Sequence, residues 1–345
     1  MSAMMDIENN NNNQSMSSSN KVRDELLPWV EKYRPKNLDE LVAHEEIITI
    51  LNRLIESNQL PHLLFHGPPG TGKTSAIKAC ARKMYGDSYN AMTLELNASD
   101  DRGIDVVRQQ IKDFAATTQL FSKGQTKLVI LDEADAMTQD AQSALRRVIE
   151  KYTSNTRFCM ICNYVNKIMP ALQSRCTKFR FAPLKDAQII DRLDHVITGE
   201  NVNIDENGKA AIRNLAGGDM RRVLNLLQST SMAYPQVTEE AVYLTAGAAL
   251  PVVMEEIFSS LWKDDFYSNY KMILDATKTR GYALMDLVTE MSKRVAELEV
   301  PEPVLAHLLD KLSTIEFRLS HGTHDKIEAG ALVGAFRVAR SMMTE

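Results

Sequence analysis

The stretch GPPGTGKT, Gly67–Thr74, carries the phosphate-binding pattern G-x-x-x-x-G-K-T and decides the fold class. An apolar run precedes it and a segment of helical character follows, so the loop joins a strand to a helix. Glycines let backbone N–H groups curl around phosphate oxygens, and the helix N-terminus adds partial positive charge. The Lys73 ammonium would reach the outer phosphates of a nucleotide, and the Thr74 hydroxyl would ligate Mg²⁺. The candidate nucleotide-binding residues of this loop are Gly67, Pro68, Pro69, Gly70, Thr71, Gly72, Lys73, Thr74 and Ser75.

A second motif, LVILDEAD at Leu128–Asp135, places two adjacent carboxylates at the end of an apolar run. Open parallel sheets bind ligands beyond the carboxyl ends of their strands, where Asp132 and Glu133 would lie. We expect Asp132 to hold Mg²⁺ and Glu133 to polarise an attacking water. A solvated turn is the alternative, which the phosphate-binding loop upstream disfavours. Asp135 is interpreted as an acid at a helix N-terminus.

Short apolar runs alternate with amphipathic segments between Leu26 and about Pro183. The segment QDAQSALRRVIEKY has helical spacing, because its apolar residues fall on one face. Strand–helix alternation with apolar strands predicts an α/β fold, a mostly parallel sheet covered by helices on both faces. The apolar face of that helix comprises Ala141, Ala144, Leu145, Val148, Ile149 and Tyr152. The runs interpreted as strands are HLLFHG (62–67), NAMTLELNA (90–98), TKLVILDEA (126–134) and TRFCMICN (156–163).

The rest of the chain consists of a polar N-terminal segment and two helical regions after the predicted sheet domain. Residues 1–25 are rich in Asn and Ser and predict a disordered tail, because they cannot bury enough apolar area to offset their chain entropy. No strand is expected after about Leu184; the segments to residue 247 read as a small helical domain. Glycine and proline in AGAALP (246–251) suggest a further linker, with helices again over 248–345. The predicted domains are therefore 1–25, 26–183, 184–247 and 248–345.

Composition excludes several classes of protein. The 345 residues are 44% hydrophobic and 25% charged, as in a globular protein with a sizeable core. No apolar run is long enough for a transmembrane helix, and the N-terminus lacks the pattern of a secretion signal. The net charge of -5 argues against non-specific coating of nucleic acid, although it leaves room for a local basic surface.

The cysteine content fits a reducing, intracellular compartment, since the chain has only four. Cys159 and Cys162 form a C-x-x-C within a predicted strand, where side chains three apart point to opposite faces. No second pair follows at zinc spacing, so two core cysteines are expected rather than a zinc or redox site.

The phosphate-binding loop alone is compatible with a nucleoside kinase, a GTPase or an ATPase. A kinase would need an acceptor pocket and a lid of arginines, and no such cluster is evident. A GTPase would usually carry an N-K-x-D-like guanine reader, and the NKI at 166–168 lacks the Asp. The two acidic residues after the strand favour hydrolysis of ATP.

These motifs resemble the AAA+ clamp-loader ATPases, close to the small subunits of eukaryotic replication factor C. The resemblance is strong from Leu26 to Tyr243 and weaker beyond. It is carried by LPWVEKYRP (27–35), LNASDDRGID (96–105), DEADAMTQDAQSALRRVIE (132–150), SRC (174–176) and GDMRR (218–222). It implies an AAA+ sheet domain, a helical lid domain and a helical C-terminal collar domain.

The resemblance assigns further roles around the nucleotide. Val30, Arg34 and Val42 would border the adenine. Asn163 resembles the sensor that touches the γ-phosphate or the attacking water, although a strand-end asparagine is often only a turn former. Arg221 resembles a second sensor that contacts phosphate from the helical domain.

The roles of two arginines remain open from the sequence. Arg222 competes with its neighbour for the second-sensor role. Arg175, in the Ser-Arg-Cys triplet, is by itself most simply a surface charge. The resemblance places it on the opposite flank of the domain, as an arginine finger that acts in trans on nucleotide bound by the next subunit.

The resemblance also implies ligands and partners: ATP and Mg²⁺, the other replication factor C subunits in a heteropentamer, the sliding clamp PCNA, primer-template DNA and a nuclear location. Arg108 and Lys112 are four apart on one helical face and would track DNA phosphates, and Arg102 would join them. A solvated helix face is an equal alternative. Leu120 and Phe121 would contact the clamp or belong to the core.

Three functions remain open from sequence. The first is an ATPase subunit of a clamp loader that opens the clamp, loads it and releases it on hydrolysis. The second is a structural subunit of the same loader that binds nucleotide without turnover. The third is a separate AAA+ remodeller, for which no aromatic pore loop is evident.

Overall fold

The structure is a computed structural model. It describes residues 27–41, 43–98, 104–116 and 126–344. The described residues form two compact units. One comprises the described part up to Val202 together with Ile212–Gln228, and the other comprises Asn203–Ala211 and the described residues from Ser229 onward. The predicted tail at residues 1–25 lies outside the described residues.

The first unit contains a five-stranded sheet in the order β2-β3-β4-β1-β5, with every pairing parallel. This arrangement confirms the predicted α/β class. In register, Leu63 of β1 pairs with Cys159 of β4, and Asn97 of β2 pairs with Asp132 of β3. The strands are β1 Leu63–His66, β2 Thr93–Asn97, β3 Lys127–Asp132, β4 Thr156–Cys162 and β5 Thr177–Arg180.

Two differences from the predicted strands have physical causes. β5 was not predicted, because it is a short edge strand in which only Phe179 is buried. The strand predicted to begin at Asn90 begins at Thr93, because Tyr89–Met92 form a helical turn.

Helices cover both faces of the sheet. One core cluster contains Leu51, Ile77 and Cys159, and the other contains Val129, Leu145 and Cys162. The two cysteines therefore point to opposite faces, as predicted, and both are buried free thiols. The helices of this unit up to Val202 are α1 Trp29–Lys32, α2 Glu45–Glu56, α3 Lys73–Tyr85, α4 Tyr89–Met92, α5 Ile104–Ala116, α6 Gln139–Tyr152, α7 Pro170–Gln173 and α8 Asp186–Glu200.

After Arg180 the described chain contains helices and no further strand beyond a single isolated bridge between Ile204 and Val237. The second unit has its own apolar cluster, which includes Phe258, Val288, Leu308 and Phe336. The remaining helices are α9 Glu206–Ala216, α10 Met220–Ala233, α11 Glu239–Ala246, α12 Pro251–Lys263, α13 Phe266–Lys278, α14 Leu284–Ala296, α15 Glu302–Ser320 and α16 Asp325–Thr344.

No single helix of the described chain has the length and apolar character needed to cross a membrane; the bent pair Glu239–Ala246 and Pro251–Lys263 passes that test only when taken together.

Candidate nucleotide site

The phosphate-binding loop opens into a cavity of about 180 Å³ within the first unit. The loop leaves β1 and enters α3 at Lys73, so the carboxyl end of a strand and the N-terminus of a helix meet there. Of the predicted residues, those that line the cavity are Val30, Arg34, Pro69, Gly70, Thr71, Gly72, Lys73, Thr74, Ser75, Asp132, Glu133, Asn163 and Arg221.

Lys73 is buried and lies at the centre of the polar contacts. Its Nζ donates to the carbonyl oxygens of Gly67 and Pro68, both at 2.7 Å, and to Oδ1 of Asn163 at 3.0 Å. Burial lowers the pKa of the Lys73 ammonium, and the nearby Asp132 carboxylate opposes that shift. The lysine thus joins the loop to the end of β4.

The two acidic residues lie at the carboxyl end of β3, Asp132 as its last residue and Glu133 directly after it, but they differ in environment. Oδ2 of Asp132 accepts a hydrogen bond from the Thr74 hydroxyl at 2.8 Å, and Oδ1 accepts from the Glu133 backbone N–H at 2.9 Å. Glu133 is exposed and has a left-handed backbone with φ of 54°. This conformation ends the strand and turns the glutamate into the cavity lining.

Asp135 does not cap a long helix. It lies in a single 3₁₀ turn, Ala134–Ala136, and its Oδ2 accepts from the backbone N–H groups of Asn163 and Tyr164 at 3.3 and 3.2 Å. The cap of α6 is instead Thr138. Asp135 is thus an acid in the first turn of a short helix, and the sequence did not reveal that its carboxylate also holds the loop that presents Asn163.

The N-terminus of α10 lies directly against the phosphate-binding loop. Oδ1 of Asp219 accepts from the N–H groups of Arg221 and Arg222 at 2.8 and 3.3 Å, which is an N-cap. A Cβ on Gly70, which has φ of 67°, would lie 1.6 Å from that same oxygen, so only glycine permits this approach. Arg221 lines the cavity, whereas Arg222 does not belong to the lining.

The segment Trp29–Pro35, hereafter the strap, forms another wall of the cavity. The Arg34 guanidinium pairs with Glu31 at 3.0 Å. Sequence reasoning missed Arg192 of α8, which lines the same cavity and donates to the Tyr33 carbonyl oxygen at 2.7 Å. Its position in an ordinary amphipathic helix gave no signal. The further lining residues that sequence reasoning missed are Tyr33, Pro35, Glu40, Leu41, Ala43, Leu184, Gln188, Met220 and Leu224.

Arg175 lies away from this cavity, between α7 and β5. Its NH2 contacts Glu150 Oε1 at 2.5 Å, and its NH1 donates to the Ala171 carbonyl oxygen at 2.6 Å. The sequence stretch around Arg175 contains no carboxylate; the partner comes from the last turn of α6. The arginine is thus held at the surface of its own domain without contributing to its own cavity.

The predicted DNA and clamp surfaces are only partly described. Lys112 is half-buried on α5. Val42, Arg102, Leu120, Phe121 and the side chain of Arg108 lie outside the described residues, so their roles stay predictions.

The parallel sheet, the phosphate-binding loop and the acidic pair define an AAA-type ATPase. The model of the ATPase family associated with various cellular activities matches residues 63–184, and the replication factor C C-terminal domain matches residues 249–335. A family of this kind binds ATP. The solved Holliday junction branch migration motor RuvB of Thermotoga maritima shares the fold alone, at 14% identity and a TM-score of 0.50, over 78% of this chain and 99% of that one.

Closer relatives define the subgroup. Replication factor C subunit 5 of Mus musculus is 54% identical over 318 residues, which cover 92% of this chain and 94% of the relative. Subunit 3 of Saccharomyces cerevisiae is 48% identical over 331 residues, 94% of this chain and 97% of the relative. The chain belongs to the replication factor C subunits. It is therefore an ATPase subunit of a clamp loader, within a multi-subunit complex, which sets aside the separate remodeller.

Proposed function

We propose that the chain is a hydrolysing subunit of a heteropentameric loader in the nucleus. The assembly would open the sliding clamp PCNA, place it on primer-template DNA during replication and repair, and release it after ATP hydrolysis. The observation that carries the proposal is the convergence of Lys73, Thr74, Asp132, Glu133 and Asn163 on one cavity. These residues come from the N-terminus of α3 and from the ends of β3 and β4, and they supply the groups that hydrolysis needs from one subunit.

Lys73 would bind the outer phosphates. In the structure its three hydrogen-bond acceptors are neutral oxygens of the loop and of Asn163. Phosphate oxygens are charged and would compete well with these neutral oxygens for the buried ammonium. Asn163 accepts a hydrogen bond from Lys73, so a movement of the lysine toward phosphate would change that bond. This link would allow Asn163 to sense the γ-phosphate.

Thr74 and Asp132 would hold Mg²⁺. Their oxygens lie 2.8 Å apart, and hydroxyl and carboxylate oxygens are the donors that this hard cation accepts alongside water and phosphate. When bound, the ion would neutralise charge on the phosphates. The residues present therefore fit it.

Glu133 would polarise the attacking water. It is exposed in the cavity lining, next to Asp132, whose two oxygens already have hydrogen-bond donors. This division leaves the glutamate as the carboxylate available to accept a proton from water. Arg221, on the N-terminus of α10, would add positive charge opposite the loop.

The base of the nucleotide would lie toward the strap, bordered by Val30, Arg34 and Val42.

Arg175 would act in trans, since it is remote from its own cavity. Lys112, with Arg102 and Arg108, would contact DNA phosphates.

We also propose three domain boundaries: residues 26–183 for the sheet domain, 184–247 for the lid domain and 248–345 for the collar domain.

The test of the site is ATP binding by the purified chain. Lys73→Ala should abolish binding measured by calorimetry, because the ammonium supplies the main charge opposite the phosphates. Lys78→Ala is the matched control on the same helix, since Lys78 pairs with Glu95 outside the cavity. Equal binding by the wild type and Lys73→Ala would contradict the proposed site.

Turnover by this subunit is tested separately from binding. Glu133→Gln should keep ATP bound and, in the assembled loader with primed DNA and clamp, slow turnover at this site by roughly 10²–10⁴-fold. An unchanged loader rate would favour the alternative, a subunit that binds nucleotide without needing to hydrolyse it.

A further inference from the structure

The strap is too short to hold its own shape. Its helical part, α1, is one turn long, and helices of this length are unstable unless tertiary contacts hold them. Yet Val30, Tyr33 and Arg34 from this segment line the cavity. The position of that wall must therefore be set by contacts between the strap and the rest of the first unit.

The strongest of these contacts converge on Glu200, the last residue of α8. Its Oε1 accepts from Lys32 Nζ at 2.5 Å and from the Tyr33 hydroxyl at 2.6 Å. The side chains of Lys32 and Glu200 are only 28% and 17% exposed, so the pair is shielded from water. Gly199 permits the approach, because a Cβ there would lie 2.5 Å from the Tyr33 hydroxyl oxygen.

Two further hydrogen bonds complete the attachment. Arg192 of α8 donates to the Tyr33 carbonyl oxygen at 2.7 Å, and the Trp29 N–H donates to Gln228 Oε1 of α10 at 3.1 Å. Although burial would raise the pKa of the Glu200 carboxyl, the hydrogen bonds from Lys32 and Tyr33 lower it below its usual value. Burial and the bond to Glu200 raise the pKa of Tyr33 to about 12. Both groups thus keep the protonation states that the contact needs.

We propose that Glu200 is a positioning residue that sets ATP affinity and base selectivity by fixing the strap. This inference rests on the proposed nucleotide site. Glu200 does not line the cavity and acts through Tyr33 and Lys32. Since the phosphate-binding loop fixes the triphosphate, the sugar and base must extend toward other lining residues, and the strap carries several of them. Loosening the strap should weaken contacts to the base while leaving the phosphate end intact.

The experiment compares two probes, ATP and inorganic tripolyphosphate, bound to the full chain and measured by calorimetry. Glu200→Gln keeps the size of the side chain but removes the charge opposite Lys32. We expect the Kd for ATP to rise about tenfold, the equivalent of one charge-assisted hydrogen bond, and the Kd for tripolyphosphate to stay unchanged. The preference for ATP over GTP should fall by a similar factor.

Two further variants sharpen the test. Glu56→Gln removes a carboxylate from a looser surface pair with Lys83, at 3.8 Å, and should change neither Kd. Tyr33→Phe keeps the ring and removes one donor, and its effect on ATP should not add to that of Glu200→Gln, because both act through one contact. If Glu200→Gln melts below the assay temperature, Tyr33→Phe, which leaves the charged pair with Lys32 in place, still decides the question.

An equal loss of affinity for ATP and tripolyphosphate, or no loss for either, would overturn the role of Glu200. Failure of the nucleotide site itself looks different: the wild type would bind neither probe, or Lys73→Ala would bind both normally.

Discussion

His62 is a buried imidazole directly before β1, and its protonation makes the stability of the fold depend on pH. It precedes β1 and is 8% exposed; its Nδ1 accepts from the Phe158 N–H at 3.2 Å, and its Nε2 lies 3.3 Å from the Thr153 hydroxyl. Burial, with a smaller contribution from Arg157, lowers the pKa of His62 to about 4. The neutral ring is therefore the form that fits the fold.

We predict that protonation of His62 lowers the free energy of unfolding at pH values between its pKa in the folded chain and its pKa in the unfolded chain. The unfolded chain binds a proton below its ordinary value of 6.5, and the folded chain only near 4. The stability that the neutral His62 ring contributes is fully present above pH 6.5 and is lost as the pH falls toward about 4. From about pH 7.5 to about pH 4.5, the wild type should lose on the order of 2–3 kcal/mol more than His62→Gln in urea titrations. Parallel losses would contradict the assignment.

At the scale of elements, the N-terminus of α10 connects helix capping to nucleotide binding. Asp219 caps the helix by accepting from the N–H groups of Arg221 and Arg222, and it lies against Gly70 of the phosphate-binding loop. The cap thus fixes the position at the start of α10 from which the Arg221 side chain lines the cavity.

We predict that Asp219→Ala costs about 1 kcal/mol of stability and also raises the Kd for ATP, because α10 loses its cap at the cavity. Asp219→Asn, which can still cap, should restore much of both. Asp265→Ala is the matched control: Asp265 caps α13 by the same pattern, accepting from Tyr267 and Ser268 at 3.0 and 3.2 Å. It should cost similar stability in thermal melts without changing ATP affinity. Equal effects of the two alanine variants on ATP binding would argue against the coupling.

Elements also show where sequence patterns succeed and fail. The span of α6 follows from its apolar period and is predicted to the residue, Gln139–Tyr152. β5 has one buried side chain, so its alternation is too weak to recognise; pairing with β1 makes it a strand. In the sequence, Arg192 and Gln188 of α8 and Met220 and Leu224 of α10 look like ordinary helix positions, because their approach to the loop depends on folding.

For the molecule as a whole, the position of Arg175 bears on the proposal that subunits share catalytic groups. Its guanidinium is held by Glu150 and the Ala171 carbonyl, away from its own cavity. Within the chain the guanidinium ties α7 to α6, and under the proposed function it would also reach the nucleotide of a neighbouring subunit.

We predict that Arg175→Ala leaves the Kd of this chain for ATP unchanged. In the assembled loader it should slow hydrolysis at the neighbouring site by roughly 10³–10⁵-fold, the usual range for an arginine supplied in trans. Single-turnover hydrolysis by the reconstituted complex measures this. Lys178→Ala removes a nearby exposed cation, which donates to Gln173, and should leave the rate unchanged. Weaker ATP binding by the isolated variant, with a normal rate at the neighbour, would contradict the role in trans.

The α/β class, the phosphate-binding loop and the acidic pair can be predicted from the sequence, because each depends on residues adjacent in the chain or on a local period. Three polar contacts become visible only in the folded chain: Asp135 holds the Asn163 loop, Glu150 holds Arg175, and Glu200 holds the strap. Those contacts join residues from 25 to 168 positions apart. Polar partners at such distances leave no periodic signal, since folding alone brings them within hydrogen-bond reach.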